Sequence, residues 1–217
     1  MFALIRNFLI KIWLKKYHIR NYSINRSGYI DVYGDVNLSY MGIEKFPSFI
    51  KFGTVEGNFN CKHNKLTMLR GAPRVVDGNF NCRYNRITSL YGVPKKIGGN
   101  FDCGFNKLTT LNGLSEVVAS SYYFDCNNLI SLKGSPEKVI GDFDCFCNIL
   151  KDLKGSPKVI GGYFDCYDNE LISLDGAPEE VGGDFCCCQY NLVKFSKNDI
   201  KKICKVGKNI YIWLIKV

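Results

Sequence analysis

Residues Val55–Leu69, VEGNFNCKHNKLTML, decide the reading of this chain, because their pattern returns every 21 residues with almost no drift. An aromatic column runs Phe59, Phe80, Phe101, Tyr122, Phe143, Phe164, Phe185. Two residues on stand Cys61, Cys82, Cys103, Phe124, Cys145, Cys166, Cys187, and three beyond those Asn64, Asn85, Asn106, Asn127, Asn148, Asn169, with Tyr190 breaking the series. Two apolar columns follow, Leu66, Ile87, Leu108, Leu129, Leu150, Leu171, Leu192 and then Leu69, Leu90, Leu111, Leu132, Leu153, Leu174, Phe195. Glycines (Gly71, Gly92, Gly113, Gly134, Gly155, Gly176) and prolines (Pro73, Pro94, Pro136, Pro157, Pro178, with Ser115 as the exception) close each unit. A β-branched column (Val55, Val76, Ile97, Val118, Val139, Ile160, Val181) opens the next.

A unit this short cannot bury its apolar face alone, so neighbouring units must stack and share one core. The spacing F-x-C-x-x-N-x-L matches the L-x-L-x-x-N/C-x-L core of a leucine-rich repeat, with an aromatic and a cysteine at two leucine positions. F-x-C alternates with period two, so both side chains point into the coil and the residue between them points out, as a short strand requires. Stacked coils then form a parallel sheet on one face, with extended or 3-10 segments opposite, where no full helix has room. The asparagine lies where the chain turns, and its amide is expected to bond the backbone of its own turn and of the adjacent coil.

The fold class is therefore a leucine-rich-repeat-like solenoid of about eight coils over 29–195, between an N-terminal helical cap (1–28) and a small α/β C-terminal cap (196–217). Met1–Arg20 is apolar and basic, but Arg6, Asn7 and Lys11 interrupt it well short of the ~20 residues that a membrane span needs. No transmembrane segment and no secretory signal are expected. The first reading of this stretch is a helix covering the open end of the stack; an interfacial membrane helix or an oligomer contact is the alternative. A short strand, Tyr29–Tyr33, leads into an irregular first coil (Gly34, Val36, Leu38, Ile43, Phe46), with two extra residues before Val55. In the middle coil an unbroken register puts Phe124 at the cysteine position and leaves Cys126 two residues beyond it. After Phe195, Ser196-Lys-Asn-Asp resembles a helix start, giving a helix over about 196–206, Gly207 as its stop, and a strand Asn209–Lys216.

The chain carries 11 cysteines, an odd number, and six of them occupy the inward strand column, so they read as buried thiols in a reducing compartment rather than as a disulfide framework. A metal site is the lesser alternative, drawing on Cys186, Cys187 and Cys188, or on Cys126 and Cys147; no C-x-x-C pair supports it, and His18 and His63 lie far away in the repeat order. The formal charge of +9 is uneven: residues 1–30 and 194–217 contribute +6 each, which leaves the repeats at −3. Basicity thus belongs to the ends, at Arg6, Lys11, Lys15, Lys16, Lys201, Lys202 and Lys205, and nucleic-acid or membrane contact is expected only there.

Function must come from outward positions. The first outward column is Asn58, Asn79, Asn100, Ser121, Asp142, Tyr163, Asp184; the second is Asn60, Asn81, Asp102, Tyr123, Asp144, Asp165, Cys186; the third is Lys62, Arg83, Gly104, Asp125, Phe146, Tyr167, Cys188. Asparagines and basic residues give way to aspartates and aromatics along the stack. Asp144 and Asp165 on neighbouring rungs, ringed by Tyr123, Phe146, Tyr163 and Tyr167, resemble an interface hot spot. With Asp142 they form the candidate partner-binding patch; a solvated face on which similar repeats drifted is the alternative. Two distant histidines, and the lack of a G-x-S-x-G, phosphate-loop or H-E-x-x-H motif, leave no catalytic constellation. The expectation is a non-enzymatic protein with no cofactor, no metal and no small-molecule substrate.

The repeat L-x-x-L-x-G-x-P-x-x-V-x-G-x-F-D-C-x-x-N-x-L resembles the short bacterial-type repeats of type-III-secreted ubiquitin-ligase effectors. Those carry a large catalytic domain after the array, whereas about 22 residues follow Phe195 here, so ligase activity is not carried over. A closer resemblance, over residues 13–195, is to the leucine-rich-repeat family of large phages and giant viruses. It is carried by GGNFDCGFNKLTTLNG (Gly98–Gly113) and by the preceding IRNYSINRSGYIDVYGDVNLSYMGI (Ile19–Ile43). This resemblance implies a viral or bacteriophage origin and placement in the virion or host cytoplasm, but no activity. The functional expectation is a protein–protein interaction module with a host or viral protein partner. Its rivals are a structural virion component docking on a capsid or tail lattice, and a membrane- or nucleic-acid-associated protein acting through basic termini.

Overall fold

Period-two burial over a few residues per coil produces very short strands, and the chain stacks them on two faces. The computed structural model describes residues 2–114, 119–189 and 195–214. Ser115, Val118, Tyr190 and Leu192 of the repeat columns lie outside the described residues, as does the expected strand beyond 214.

The principal sheet is built from β3 (Val36–Asn37), β5 (Phe59–Asn60), β7 (Phe80–Asn81), β9 (Phe101–Asp102), β10 (Tyr122–Tyr123), β12 (Phe143–Asp144), β14 (Phe164–Cys166), β16 (Phe185–Gln189) and β18 (Ile210–Leu214). Neighbours pair in parallel with the repeat in phase, Phe59↔Phe80↔Phe101↔Tyr122↔Phe143↔Phe164↔Phe185. The unbroken register of the middle coil holds, and Phe124 is fully buried at the cysteine position.

The described members of the aromatic, cysteine, leucine and β-branched columns are buried, except that Phe195 packs partly buried against the core. Consecutive rings of the aromatic column stand 5.2–6.3 Å apart where they touch. Each asparagine of the buried series works as expected. Asn106 Nδ2 donates to the carbonyls of Cys103 and Gly104 in its own coil and of Cys82 in the coil before (3.1 Å each), while its Oδ1 accepts the N–H of Ile87 (2.9 Å).

The return path is more regular than the sequence suggests. Its β-branched residues form a second set of parallel strands: β4 (Phe52–Val55), β6 (Val75–Val76) and β8 (Lys96–Ile97), then β11 (Lys138–Val139), β13 (Val159–Ile160), β15 (Glu180–Val181) and β17 (Lys205–Val206). Between the faces the L-x-G-x step is a β-turn. Leu153 O accepts the N–H of Ser156 (3.0 Å), with Gly155 at φ 88° in the position where a type II turn needs a positive φ. A Cβ on Gly155 would also stand 2.5 Å from the Lys133 nitrogen, so coil-to-coil packing demands glycine as well.

Both ends depart from the expected boundaries. α1 (Phe2–Lys16) buries Ile10, Trp13 and Leu14 over the first coil, with Trp13 against Phe46 and Phe52 at ring distances of 6.4 and 6.1 Å. The expected helical cap to residue 28 nevertheless contains a strand: β1 (Tyr22–Ile24) pairs antiparallel with β2 (Ile30–Val32), covering the edge of the second sheet. An Asn25–Gly28 turn, with Asn25 Oδ1 accepting two backbone N–H groups, makes that reversal possible. The two extra residues of the first coil are seen in its 23-residue offset to the next, Val36↔Phe59.

At the other end α2 (Lys197–Ile203) starts at Ser196 in a capping box with Asp199, as its sequence suggests. The expected helix to 206 with Gly207 as its stop is corrected: the helix ends at Ile203 with Cys204 extended. Lys205-Val206 instead pairs with Glu180-Val181, because a β-branched residue here completes the second sheet. Gly207 then sits against Gly182 O, where a side chain would collide. The C-terminal cap is thus one more coil, lengthened by a helix, rather than a separate unit.

Candidate functional site

The strand face presents its three outward columns side by side, and the first of them is largely structural. Asn58 Oδ1 accepts the N–H of Asn79 (2.8 Å), and Asn79 Oδ1 that of Asn100 (2.8 Å). Ser121 Oγ accepts the N–H of Asp142 and Asp142 Oδ1 that of Tyr163, both at 3.0 Å. A short polar side chain at this position ties each coil to the next, and Asp142 also accepts the Tyr123 hydroxyl (3.1 Å). Of the candidate patch, Asp142 therefore serves mainly the fold.

In the second column each Asn or Asp uses one oxygen to accept the N–H two residues ahead: Asn81 from Arg83 (3.0 Å), Asp102 from Gly104 (3.1 Å), Asp144 from Phe146 (2.9 Å), Asp165 from Tyr167 (2.8 Å). These are Asx-turns at the ends of the strands. Asn and Asp serve them equally, which explains why they interchange along the column; the charge of an aspartate is what remains for another purpose.

On the early coils that charge is met by a cation. Arg83 reaches across Gly104 to make two hydrogen bonds to Asp125 (2.7 and 2.5 Å) and one to Asp102 (3.2 Å). Desolvation works against the guanidinium, but the two carboxylates outweigh it and hold its pKa above the ordinary range. This network was not legible from the columns, since Arg83 and Asp125 are 42 residues apart. The one signal is Gly104, a gap in a column of long side chains, where a Cβ would occupy the crossing point.

Asp144 and Asp165 have no such cation: among the described residues no lysine or arginine stands within ion-pair distance of either. They are rung neighbours in register, ~4.8 Å apart along the stack. Phe146 and Tyr167 form one wall, stacked at 5.7 Å and nearly parallel. Tyr163 donates to Asp144 Oδ2 at 3.5 Å from the other side, beside Tyr123. Burial raises the pKa of Asp144 to about 7; the Phe146 N–H and, more weakly, the Arg83 charge oppose this, while the nearby Asp165 and Asp125 charges add to it. Burial likewise raises Asp165 and Tyr163. The arrangement brings together all seven residues of the expected patch as a half-buried, aromatic-walled acidic strip.

A carboxyl raised from 3.8 to about 7 favours the fold while protonated and disfavours it once ionised, so stability is lost as pH rises between these values. Asp144→Asn keeps the Asx acceptor and removes the charge. It is expected to raise stability by about 1–3 kcal/mol above pH 7, the ceiling set by 1.4 kcal/mol per unit being reduced by solvent screening. Below pH 4 it should change little. Thermal melts of both proteins across this range check the crossover.

A fourth column escaped the outward reading. Tyr40, His63, Tyr84 and Phe105 stack at 4.2–4.3 Å between successive rings. All four have positive φ (51–59°), as do Cys126, Cys147 and Asp168 further along. Their mixed chemistry hides the shared backbone state. Ring stacking on the early coils offsets a conformation that side chains rarely adopt.

The basic ends are less uniform than their charge suggests. Lys11, Lys15, Lys16 and Lys201 are exposed, whereas Lys202 pairs with Asp199 (3.5 Å) and Lys205 with Glu180 (3.1 Å). Arg6 turns toward the protein and donates to Ser27 O (3.3 Å). The first and last coils lie at opposite ends of the principal sheet, so the two basic regions do not merge.

The cysteines whose side chains are described are free thiols, and Cys61, Cys82, Cys103, Cys145, Cys166 and Cys187 are fully buried. Among the described residues no three His, Cys, Asp or Glu side chains converge as metal ligands would. Nor is any described helix long and apolar enough to cross a membrane. The larger surface depressions lie away from the strip, one beside α2 lined by Ile172, Leu174, Phe195 and Ile203, another at Phe46, Phe49, Met68 and Arg70. Comparison with protein-family models, with curated proteins and with solved structures gives no match.

Proposed function

We propose that this solenoid is a non-enzymatic protein-binding module whose strand face, at Tyr123, Asp144, Phe146, Tyr163, Asp165 and Tyr167, receives a cationic segment of a partner protein. The observation that carries the reading is the contrast along one column. Asp102 is ion-paired with Arg83, while among the described residues no lysine or arginine stands within ion-pair distance of Asp144 or Asp165. A guanidinium or ammonium from outside would do for the later coils what Arg83 does for the earlier ones, and the rings would favour it through their faces. The strip is open, its carboxylates bond backbone N–H groups and a tyrosine hydroxyl, and burial pushes the Cys186 thiol beside Asp165 up to about 12, away from the thiolate that a nucleophile needs, which supports binding over catalysis. The viral or phage family reading belongs to this proposal and is supported by the repeat motif.

The test is affinity capture from host and virus-infected lysates, followed by titration of the captured partner, with wild type beside Asp144→Arg, Tyr167→Ala. The double substitution should weaken binding by tenfold or more, since a like charge meets the incoming cation. Wild-type affinity should rise between pH 6 and pH 8 as Asp144 ionises. A partner held equally by the double variant would remove the site from this face.

A further inference from the structure

Helix α1 is turned the wrong way round for a solvated surface. Its side facing the solenoid carries Arg6 and Asn7 beside Ile10, Trp13 and Leu14, and Arg6 Nε and Asn7 Oδ1 are buried without hydrogen-bond partners. Its opposite side presents Leu4 (76% exposed), Ile5 (52%), Phe8 (64%), Leu9 (40%) and Ile12 (51%). At 3.6 residues per turn Leu4, Phe8 and Ile12 fall on one line, with Ile5 and Leu9 alongside. Lys11, Lys15 and Lys16 are exposed at the C-terminal end of this face. Capping the stack accounts for the buried residues and leaves the outer apolar row without an explanation.

We propose that this outer face is a membrane-docking surface that lies in the interface of an anionic lipid bilayer. Charge decides between possible occupants. Residues 1–30 carry +6 and no acidic residue, so a second copy meeting this face would bring like charge against like charge, while an anionic lipid surface is complementary. The apolar row enters the boundary between headgroups and acyl chains, and the lysines extend to the phosphates. With 15 residues the helix is about 22 Å long, shorter than the ~30 Å hydrocarbon core, so it lies on the bilayer instead of crossing it. The surface is independent of the strand-face reading.

The experiment is co-sedimentation of the full chain with vesicles of phosphatidylcholine containing about 30% phosphatidylserine, and with phosphatidylcholine alone. Binding is expected to the anionic vesicles and to fall steeply toward roughly 0.5 M salt. Phe8→Ser, Ile12→Ser should reduce the partition coefficient by about tenfold or more with no change in the melting curve, since both side chains point outward. Lys11, Lys15 and Lys16 changed together to Gln should abolish the preference for phosphatidylserine. No binding to anionic vesicles, or binding unaffected by the serine pair, would overturn the proposal. So would a concentration-dependent dimer that the serine pair dissolves, which would give the face to a second copy.

Discussion

Asn106→Leu is expected to lower the unfolding free energy by about 1–3 kcal/mol, a large loss for a substitution that preserves side-chain size. The wild-type amide lies 8% exposed in the middle of the stack and satisfies groups in two coils at once. Leucine leaves the Ile87 N–H with no acceptor, and the carbonyls of Cys82, Cys103 and Gly104 each lose a donor. The penalties do not simply add. Cys82 O still receives Asn85 Nδ2 and Cys103 O still receives Asn127 Nδ2 (3.0 Å each), and Gly104 O keeps the Tyr84 N–H (3.1 Å), so the stranded Ile87 N–H dominates, at ~1–3 kcal/mol. Urea unfolding should show a lower midpoint. A shallower slope as well would mean that the two halves of the stack no longer unfold together. An unchanged midpoint would mean that the asparagine series does not hold the coils together.

Phe143→Ala should cost about 3–5 kcal/mol. The ring is fully buried and meets Tyr122, Phe124 and Phe164 at centroid distances of 6.1–6.3 Å, so its removal interrupts the aromatic column. Neighbouring coils are held in register by backbone bonds on two faces and have little freedom to close the cavity. The control lies three residues away: Phe146 is on the outward side, stacked on Tyr167, and its alanine variant should cost about 1 kcal/mol or less. Equal losses for the two would contradict the assignment of inner and outer faces.

Much of this was legible because the fold is nearly one-dimensional. A coil meets only its neighbours, so a residue's place in the 21-residue period states whether it points inward, and its equivalent in the next coil is its packing partner. That is how Phe124 could be placed in the core and Cys126 outside it. The logic weakens where the period does. At the C-terminus the helix was extended three residues too far, because Lys205-Val206 reads equally well as helix until the sheet it completes is known. At the N-terminus the strand Tyr22–Ile24 has no repeat to mark it, and only its antiparallel partner reveals it.

The candidate site divides along the same line. By itself the sequence determined the solenoid, its buried columns, the in-phase register and the gathering of aspartates and aromatics on one stretch of the outward face, since each follows from periodicity between adjacent coils. Only the tertiary structure decided which of those aspartates retain a charge to offer. Asp142 is occupied in joining coils, Asp102 and Asp125 share an arginine that crosses a glycine gap, and burial between rings lifts the pKa of Asp144 to about 7, so that its charge emerges as pH rises through neutrality. It likewise decided that α1 turns its polar residues inward and an apolar row outward. The reach of a side chain across non-adjacent coils, the desolvation of a carboxyl and the rotation of a capping helix depend on distances in three dimensions, which a repeat pattern does not contain.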